Sequence, residues 1–170
     1  LWPHDFRAVL HLGFGRHLSL QLDVTNTGND AFDFSFAFHS YFPLTDSRRA
    51  RVDGLEGSVS LDQLDPSRQR RYQQGPVRFE GETDRIFTGV SQDCRLQDEA
   101  GNTAVHLRAA DCRSVIVWNP GPEKAARLGD TPASAWQGMA CVESGNVGED
   151  ALSLAPGAVA RFALTLTQEP

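Results

Sequence analysis

Lysine is almost missing from this chain: Lys124 stands alone, and arginine supplies the rest of the 16 basic residues. That bias fits a GC-rich genome, and it also leaves forked cations suited to carboxylates and phosphates. Acidic residues number 22, so the formal net charge of -6 argues against broad nucleic-acid or anionic-membrane binding. Methionine is equally scarce. Met139 is the single one and the chain opens on Leu1, which predicts a piece of a longer protein or a processed one. Cysteine occurs three times, at 94, 112 and 141, an odd count without C-x-x-C spacing. That argues against a zinc site or a full disulfide set and fits a reducing cytoplasm. No apolar run nears membrane-spanning length, and "LWPHDFRAVL" carries charges where a signal peptide would be apolar. There is no P-loop, G-x-S-x-G or Rossmann glycine pattern. His4, His11, His17 and His106 lack the spacing of a ligand set, so no metal is expected.

What the chain does contain is alternation. With 170 residues, 40% of them hydrophobic, it is long enough for one domain with a substantial core. Residues 17–24, "HLSLQLDV", place Leu18, Leu20, Leu22 and Val24 on one face. After the turn "TNTGND", Phe32, Phe34, Phe36 and Phe38 repeat the pattern, which predicts a hairpin with a loop of about five residues. Further strands are predicted in 51–57, in 75–87 with a break at Gly81, and in 94–110 around "EAGN". "SVIVWNP" is a β-branched run stopped by Asn-Pro, "MACVESGNV" is short and apolar, and 152–168 closes the chain. Only "PEKAARLGD" carries helix formers, enough for one or two turns, and the polar stretch 62–76 reads as a surface loop. Many alternating strands with little helix predict an all-β, antiparallel sandwich.

Phase alone singles out a few polar residues. His39 falls opposite the phenylalanine face, in line with Ser35 and Ala37, whose small side chains leave room above the sheet. Glu143 is in phase with Cys141 and Met139, an apolar setting that raises a carboxyl pKa unless the carboxylate is paired. Facing one cleft, the two would make a general acid and base; otherwise they are a solvated histidine and a strand-end glutamate bound to backbone. Asp84, followed by Arg85, points to the other face from its neighbour, so the two do not simply pair. On its own Asp84 reads as an edge charge. Trp118 suits either a sugar ring or the core, and the core reading is the commoner one.

Taken together, "WPHDFR", "VTNTG", "FHSYFPLTD", "VDGLEG", "FEGETDRIF", "VWNPGPEKA" and "MACVESGN", in that order, resemble the aldose 1-epimerase (mutarotase) superfamily. Within it, "WNPG" with "KA" and then "CVE" with "GN" look like the hexose-6-phosphate mutarotase, or glucose-6-phosphate 1-epimerase, branch. The resemblance runs over the whole chain and implies a galactose-mutarotase-like supersandwich, incomplete at the N-terminus. Residues 1–170 would then be the C-terminal portion of a longer domain. Position by position it implies His39 as general acid at the ring oxygen, Glu143 as general base at the anomeric hydroxyl, and Asp84 as a holder of sugar hydroxyls. The implied reaction exchanges α and β anomers of a hexose 6-phosphate by ring opening, without metal or organic cofactor, which suits an imidazole and a carboxylate in a partly dry site. The implied partner is a sugar or sugar phosphate, with no nucleic acid or membrane, and a monomer at full length. The basic residues that hold the phosphate would lie mainly outside this stretch, with Arg48, Arg49 and Arg51 adding some positive field. Sheet edges left unpaired would favour association. Two other readings stay open: a sugar-binding sandwich without turnover, and an accessory sandwich domain of a larger carbohydrate enzyme.

Overall fold

The computed structural model describes residues 2–91, 93–129 and 132–169. The first strands are β1 (Phe6–Phe14), β2 (Leu18–Asn26), β3 (Phe32–Phe34), β4 (Phe36–Phe38) and β5 (Tyr41–Pro43). Next come β6 (Ala50–Asp53), β7 (Val59–Asp62), β8 (Arg70–Tyr72), β9 (Val77–Arg78) and β10 (Thr83–Phe87). β11 (Asp93–Asp98), β12 (Thr103–Ala110) and β13 (Ser114–Asn119) precede the short helix α1 (Gly121–Ala125). β14 (Met139–Asn146), β15 (Leu152–Leu154) and β16 (Val159–Glu169) complete the order.

One seven-stranded sheet runs β1-β2-β16-β12-β11-β6-β9; the second runs β4-β14-β13-β10-β7-β8, with β5 also paired to β14. A two-stranded piece joins β15 to β3. All the pairings are antiparallel, as the alternation predicts. Alternate residues of both sheets meet in the core: Val24, Phe162, Leu164, Leu107, Leu96 and Val52 from one, Phe38, Phe42, Val142, Val115, Val117 and Phe87 from the other. Each large apolar side chain withdrawn from water in this way contributes about 1.5–3 kcal/mol.

Four parts of the pattern resolve differently from the expectation. The hairpin predicted between 17–24 and the phenylalanine run does not form: β2 pairs with β1 and β16, while the run pairs with β14 and β15 in other sheets. The phenylalanine run keeps its phase, but it is not one strand. Phe34 pairs with Leu152 of β15 whereas Phe36 pairs with Asn146 of β14, because the partner chain leaves the sheet between 146 and 152. The rings nonetheless form a continuous ladder, with Phe36 4.1 Å from Phe162 of the facing sheet. Residues 62–76 are not loop throughout: β8 lies within them and pairs with β7 through backbone bonds that its exposed, polar sequence "RRY" does not advertise. Finally, β1 lies outside the strands anticipated from the sequence. It forms the edge beside β2 and leaves Phe6, Leu10, Leu12 and Phe14 exposed on the face where Leu18, Leu20 and Leu22 of β2 lie opposite in register, Phe14 to 82%.

Buried asparagines pin the loops that frame the second sheet. Asn119, fully buried at the end of β13, donates to the carbonyls of Trp136 and Met139 (2.8 and 2.7 Å) and accepts from the amide of Gly121 (2.8 Å). Gly121 has φ +60°, and a Cβ there would sit 2.4 Å from the amide nitrogen of Glu82, so only glycine fits beneath α1. Asn119→Ala is expected to cost about 2–4 kcal/mol, since three bonds are lost and their buried partners stay unsatisfied. Urea unfolding checks this, and a cost below about 1 kcal/mol would show that water replaces the side chain without penalty.

Candidate functional site

The site is a consequence of register. Phe38 pairs with Ser144 and Tyr41 pairs with Cys141, so the same register carried through the unpaired residues His39 and Ser40 sets His39 opposite Glu143. Glu143 in turn faces Ile116 of β13, and Ile116 faces Ile86 of β10. One row along, Tyr41, Cys141, Trp118 and Asp84 follow one another across the sheet. All eight lie on one face by alternation, the face turned away from Phe38, Val142, Val117 and Phe87. β14 can lie this close to β4 because Gly145 has no side chain; a Cβ there would meet the Phe36 carbonyl oxygen at 2.2 Å.

Side-chain geometry follows from that grid. His39 Nε2 lies 3.3 Å from Glu143 Oε1; the histidine is half-exposed, the glutamate side chain only 8% exposed. The Tyr41 ring stacks on His39 at 4.8 Å and 8°, and Trp118 presents an edge to both rings at 6.2 and 6.3 Å. Trp118 is therefore a half-buried wall of this face rather than a core residue. Lys124 Nζ stands 5.7 Å above the Trp118 ring and donates to Glu82 Oε1 at 3.0 Å. Burial pushes the Glu143 carboxyl up to about 7, and the neighbouring charge of Asp84 adds to the shift. Burial also raises Asp84, opposed by the positive charge of Lys124 and reinforced by Glu82 and Asp62. The Cys141 thiol is pushed up to about 12, first by burial and then by Glu143.

Asp84 thus shares the face of His39 and Glu143, while Arg85 turns away to Gln73 (3.3 Å) and Asp62 (3.8 Å). The arginines after the phenylalanine run are elsewhere. Arg48 is held by Asp46 at 2.7 Å, and Arg51 by Asp53 at 3.0 Å on the other large sheet. The cations whose charge reaches Asp84 are Lys124 and Arg68. The sequence reading overlooked Tyr41, Cys141 and Lys124. Tyr41 and Cys141 were within reach of it, being two residues from His39 and Glu143 in alternating strands. Lys124 was not, since only the turn at Gly121 brings it back over Trp118. A cleft of about 560 Å³ is lined by Arg78, Glu80, Glu82, Thr83 and Arg85.

A histidine and a carboxylate within hydrogen-bonding reach, one open to solvent and one mostly dry, can move two protons on atoms held close together. The aldose 1-epimerase family model matches residues 1–167. A provisionally named glucose-6-phosphate 1-epimerase from Cenchrus ciliaris is 30% identical over 174 aligned residues, covering 100% of this chain and 53% of that protein. Another so named, from Escherichia coli K12, is 30% identical over 149 residues, 87% of this chain and 49% of its own length. The chain thus spans about half the length of the curated relatives it matches. Among solved structures, a provisionally named mutarotase from Salmonella typhimurium superposes with a TM-score of 0.87 at 24% identity, over 98% of this chain and 55% of that one. A galactose mutarotase-like protein from Lactobacillus casei gives 0.76 at 15% identity, over 98% and 64%. At these identities the structural likeness speaks for the fold.

Proposed function

Because this chain belongs to the aldose 1-epimerase family, we propose that its His39–Glu143 face interconverts the α and β anomers of a hexose, with a hexose 6-phosphate as the substrate. The observation that carries the reading is the 3.3 Å separation of His39 Nε2 and Glu143 Oε1 on the outer face of the sheet. The ring oxygen O5 and the anomeric hydroxyl O1 of a sugar are both bonded to C1, so an acid and a base serving them must converge within a few ångströms. Glu143 takes the O1 proton while His39 delivers one to O5; the C1–O5 bond breaks and C1 becomes an aldehyde. Rotation about C1–C2 presents the other carbonyl face. O5 then attacks C1, His39 recovers its proton and Glu143 returns one to O1. A carboxyl raised to about 7 suits this cycle, since it can both hold and release a proton near neutrality.

Asp84, one row from the acid–base pair, accepts hydrogen bonds from sugar hydroxyls, and Trp118 offers a ring beside them. The 6-phosphate is supported by the names of the relatives at 30% identity. Arg48 and Arg51 are occupied by their own acids, so most of the phosphate grip lies outside residues 1–170. We read the chain as one sandwich unit of a longer mutarotase-like domain.

Exchange between the α and β signals of glucose 6-phosphate, followed by NMR at equilibrium and corrected for spontaneous mutarotation, tests the activity. The intact protein is expected to accelerate exchange, and to prefer the phosphorylated sugar over glucose by a margin that salt weakens. The 170-residue chain alone is expected to bind the two sugars with little preference. Sugar binding without any acceleration by the intact protein would leave a carbohydrate-binding sandwich instead. A strong phosphate preference in the short chain would put the grip inside it.

A further inference from the structure

The acid–base pair has a third neighbour that the proposed reaction does not use. Cys141 lies on β14 two residues before Glu143 and points to the same face. The donor atoms His39 Nε2 or Nδ1, Cys141 Sγ and a Glu143 oxygen all lie within 4.8 Å of one another. We propose that His39, Cys141 and Glu143 together bind a thiophilic divalent cation such as zinc, and that the bound ion shuts off the chemistry of this face. The second half of this statement rests on the proposed mutarotase activity; the first does not.

The donor set is one that zinc takes and that hard cations do not: an imidazole nitrogen, a thiolate and a carboxylate oxygen. Zinc holds such ligands at about 2.0–2.3 Å, which puts tetrahedral ligand atoms about 3.3–3.8 Å apart. The three groups need close by only about 1 Å to reach that arrangement. Two of them sit on one strand and the third is fixed opposite by register, so the closure falls to side chains alone. Tyr41, stacked flat on the His39 ring, already limits how that ring can turn. His39 is half-exposed, so the fourth position opens toward solvent, where a water or a sugar oxygen completes the shell.

Electrostatics favour a cation here and also explain why it would be a visitor. Glu143 and Asp84 repel one another, and a divalent ion beside them removes that penalty. The thiol of Cys141 is buried, by contrast, and a metal must displace its proton into solvent to gain the thiolate. Once seated, the ion occupies the Nε2 and Oε lone pairs on which proton transfer depends. The sugar then meets neither a free base nor a free acid.

Cobalt(II) is the probe, titrated into the intact protein after stripping with chelator. The expected result is one ion per chain, with a thiolate-to-cobalt charge-transfer band in the near ultraviolet and the intense visible bands of a tetrahedral site. Cys141→Ser should abolish the thiolate band and weaken zinc binding by at least about tenfold. His39→Gln, a change at a half-exposed position that spares folding, should weaken zinc comparably while the thiolate band persists at higher cobalt. Zinc should inhibit anomer exchange, read against each protein's own rate in chelator, and Cys141→Ser should need at least about ten times more zinc for the same fractional loss. No thiolate band, a band that survives in Cys141→Ser through Cys94 or Cys112, or zinc affinity unchanged in both variants would each overturn the site. If the stripped protein exchanges no anomers, the proposed activity falls, while the cobalt spectrum still decides the metal site by itself.

Discussion

Glu143→Gln is expected to slow anomer exchange by about two to four orders of magnitude, the usual worth of a positioned acid or base. Glutamine keeps the shape of the side chain and its place opposite His39 but cannot take the O1 proton. His39→Asn should cost a similar factor, because the amide donates a hydrogen bond without a transferable proton. Substrate affinity should change far less in both, since the proton transfers stabilise the transition state and not the bound sugar. Asp84→Asn should shift the emphasis, weakening binding at least as much as turnover. The pH profile adds a second signature. The base works when ionised, so the rate at low substrate is expected to rise through about pH 7, where burial and Asp84 place the Glu143 carboxyl. That limb should vanish in Glu143→Gln. All of these rates are read by NMR in the presence of chelator, so that no bound metal intervenes. Exchange by Glu143→Gln at the rate of the unaltered protein would move the base elsewhere and leave the sugar-binding reading as the better account.

The same substitution is expected to stabilise the fold at alkaline pH. In the folded protein the Glu143 carboxyl holds its proton up to about 7, whereas an unburied one releases it near 4.5. Between those values the folded state binds more protons than the unfolded state, so this group makes stability fall as pH rises through the window. The groups facing it are His39 at 3.3 Å, Asp84 across the sheet and Cys141 on the same strand. The charge of Asp84 enlarges the penalty. Glutamine carries no charge to bury. Glu143→Gln should therefore match the unaltered protein near about pH 4 and exceed it by about 1–3 kcal/mol near about pH 8. Urea unfolding across that range measures the difference. A gap that stays flat with pH would mean that the carboxylate is well solvated in the folded protein. Together the two predictions describe one trade: the desolvation that tunes a base to neutrality is a standing cost to the fold.

Several residues that make the chain resemble its relatives serve the backbone rather than the sugar. Asn119 in "VWNPG" ties β13 to the loop before β14. Asn146 in "ESGN" donates to the Asp111 carbonyl at 2.8 Å and accepts from the Arg113 amide at 2.9 Å. Asn26 in "VTNTG" bridges the carbonyls of Asp30 and Leu154. All three are at most 1% exposed. A motif read from sequence mixes these clips with chemistry, and only burial and partners separate them.

What the sequence determined by itself was parity. Alternation has a period of two, so it assigns Phe38 and Val142 to one face and His39, Cys141 and Glu143 to the other without any knowledge of which strands are neighbours. The all-β class and the face of the candidate site both follow from that. Partnership did not. That β4 and β5 pair along one edge of β14 in the same register, that the phenylalanine run changes partners at Ser35, and that "RRY" pairs with β7 depend on hydrogen bonds between segments far apart in the chain. Such bonds join backbones of any sequence, so side chains record them weakly. The electrostatics of Glu143 divide in the same way. Its phase-mates Met139 and Cys141 announce the direction of the shift, whereas the added charge of Asp84, 59 positions earlier, comes only with the packed face.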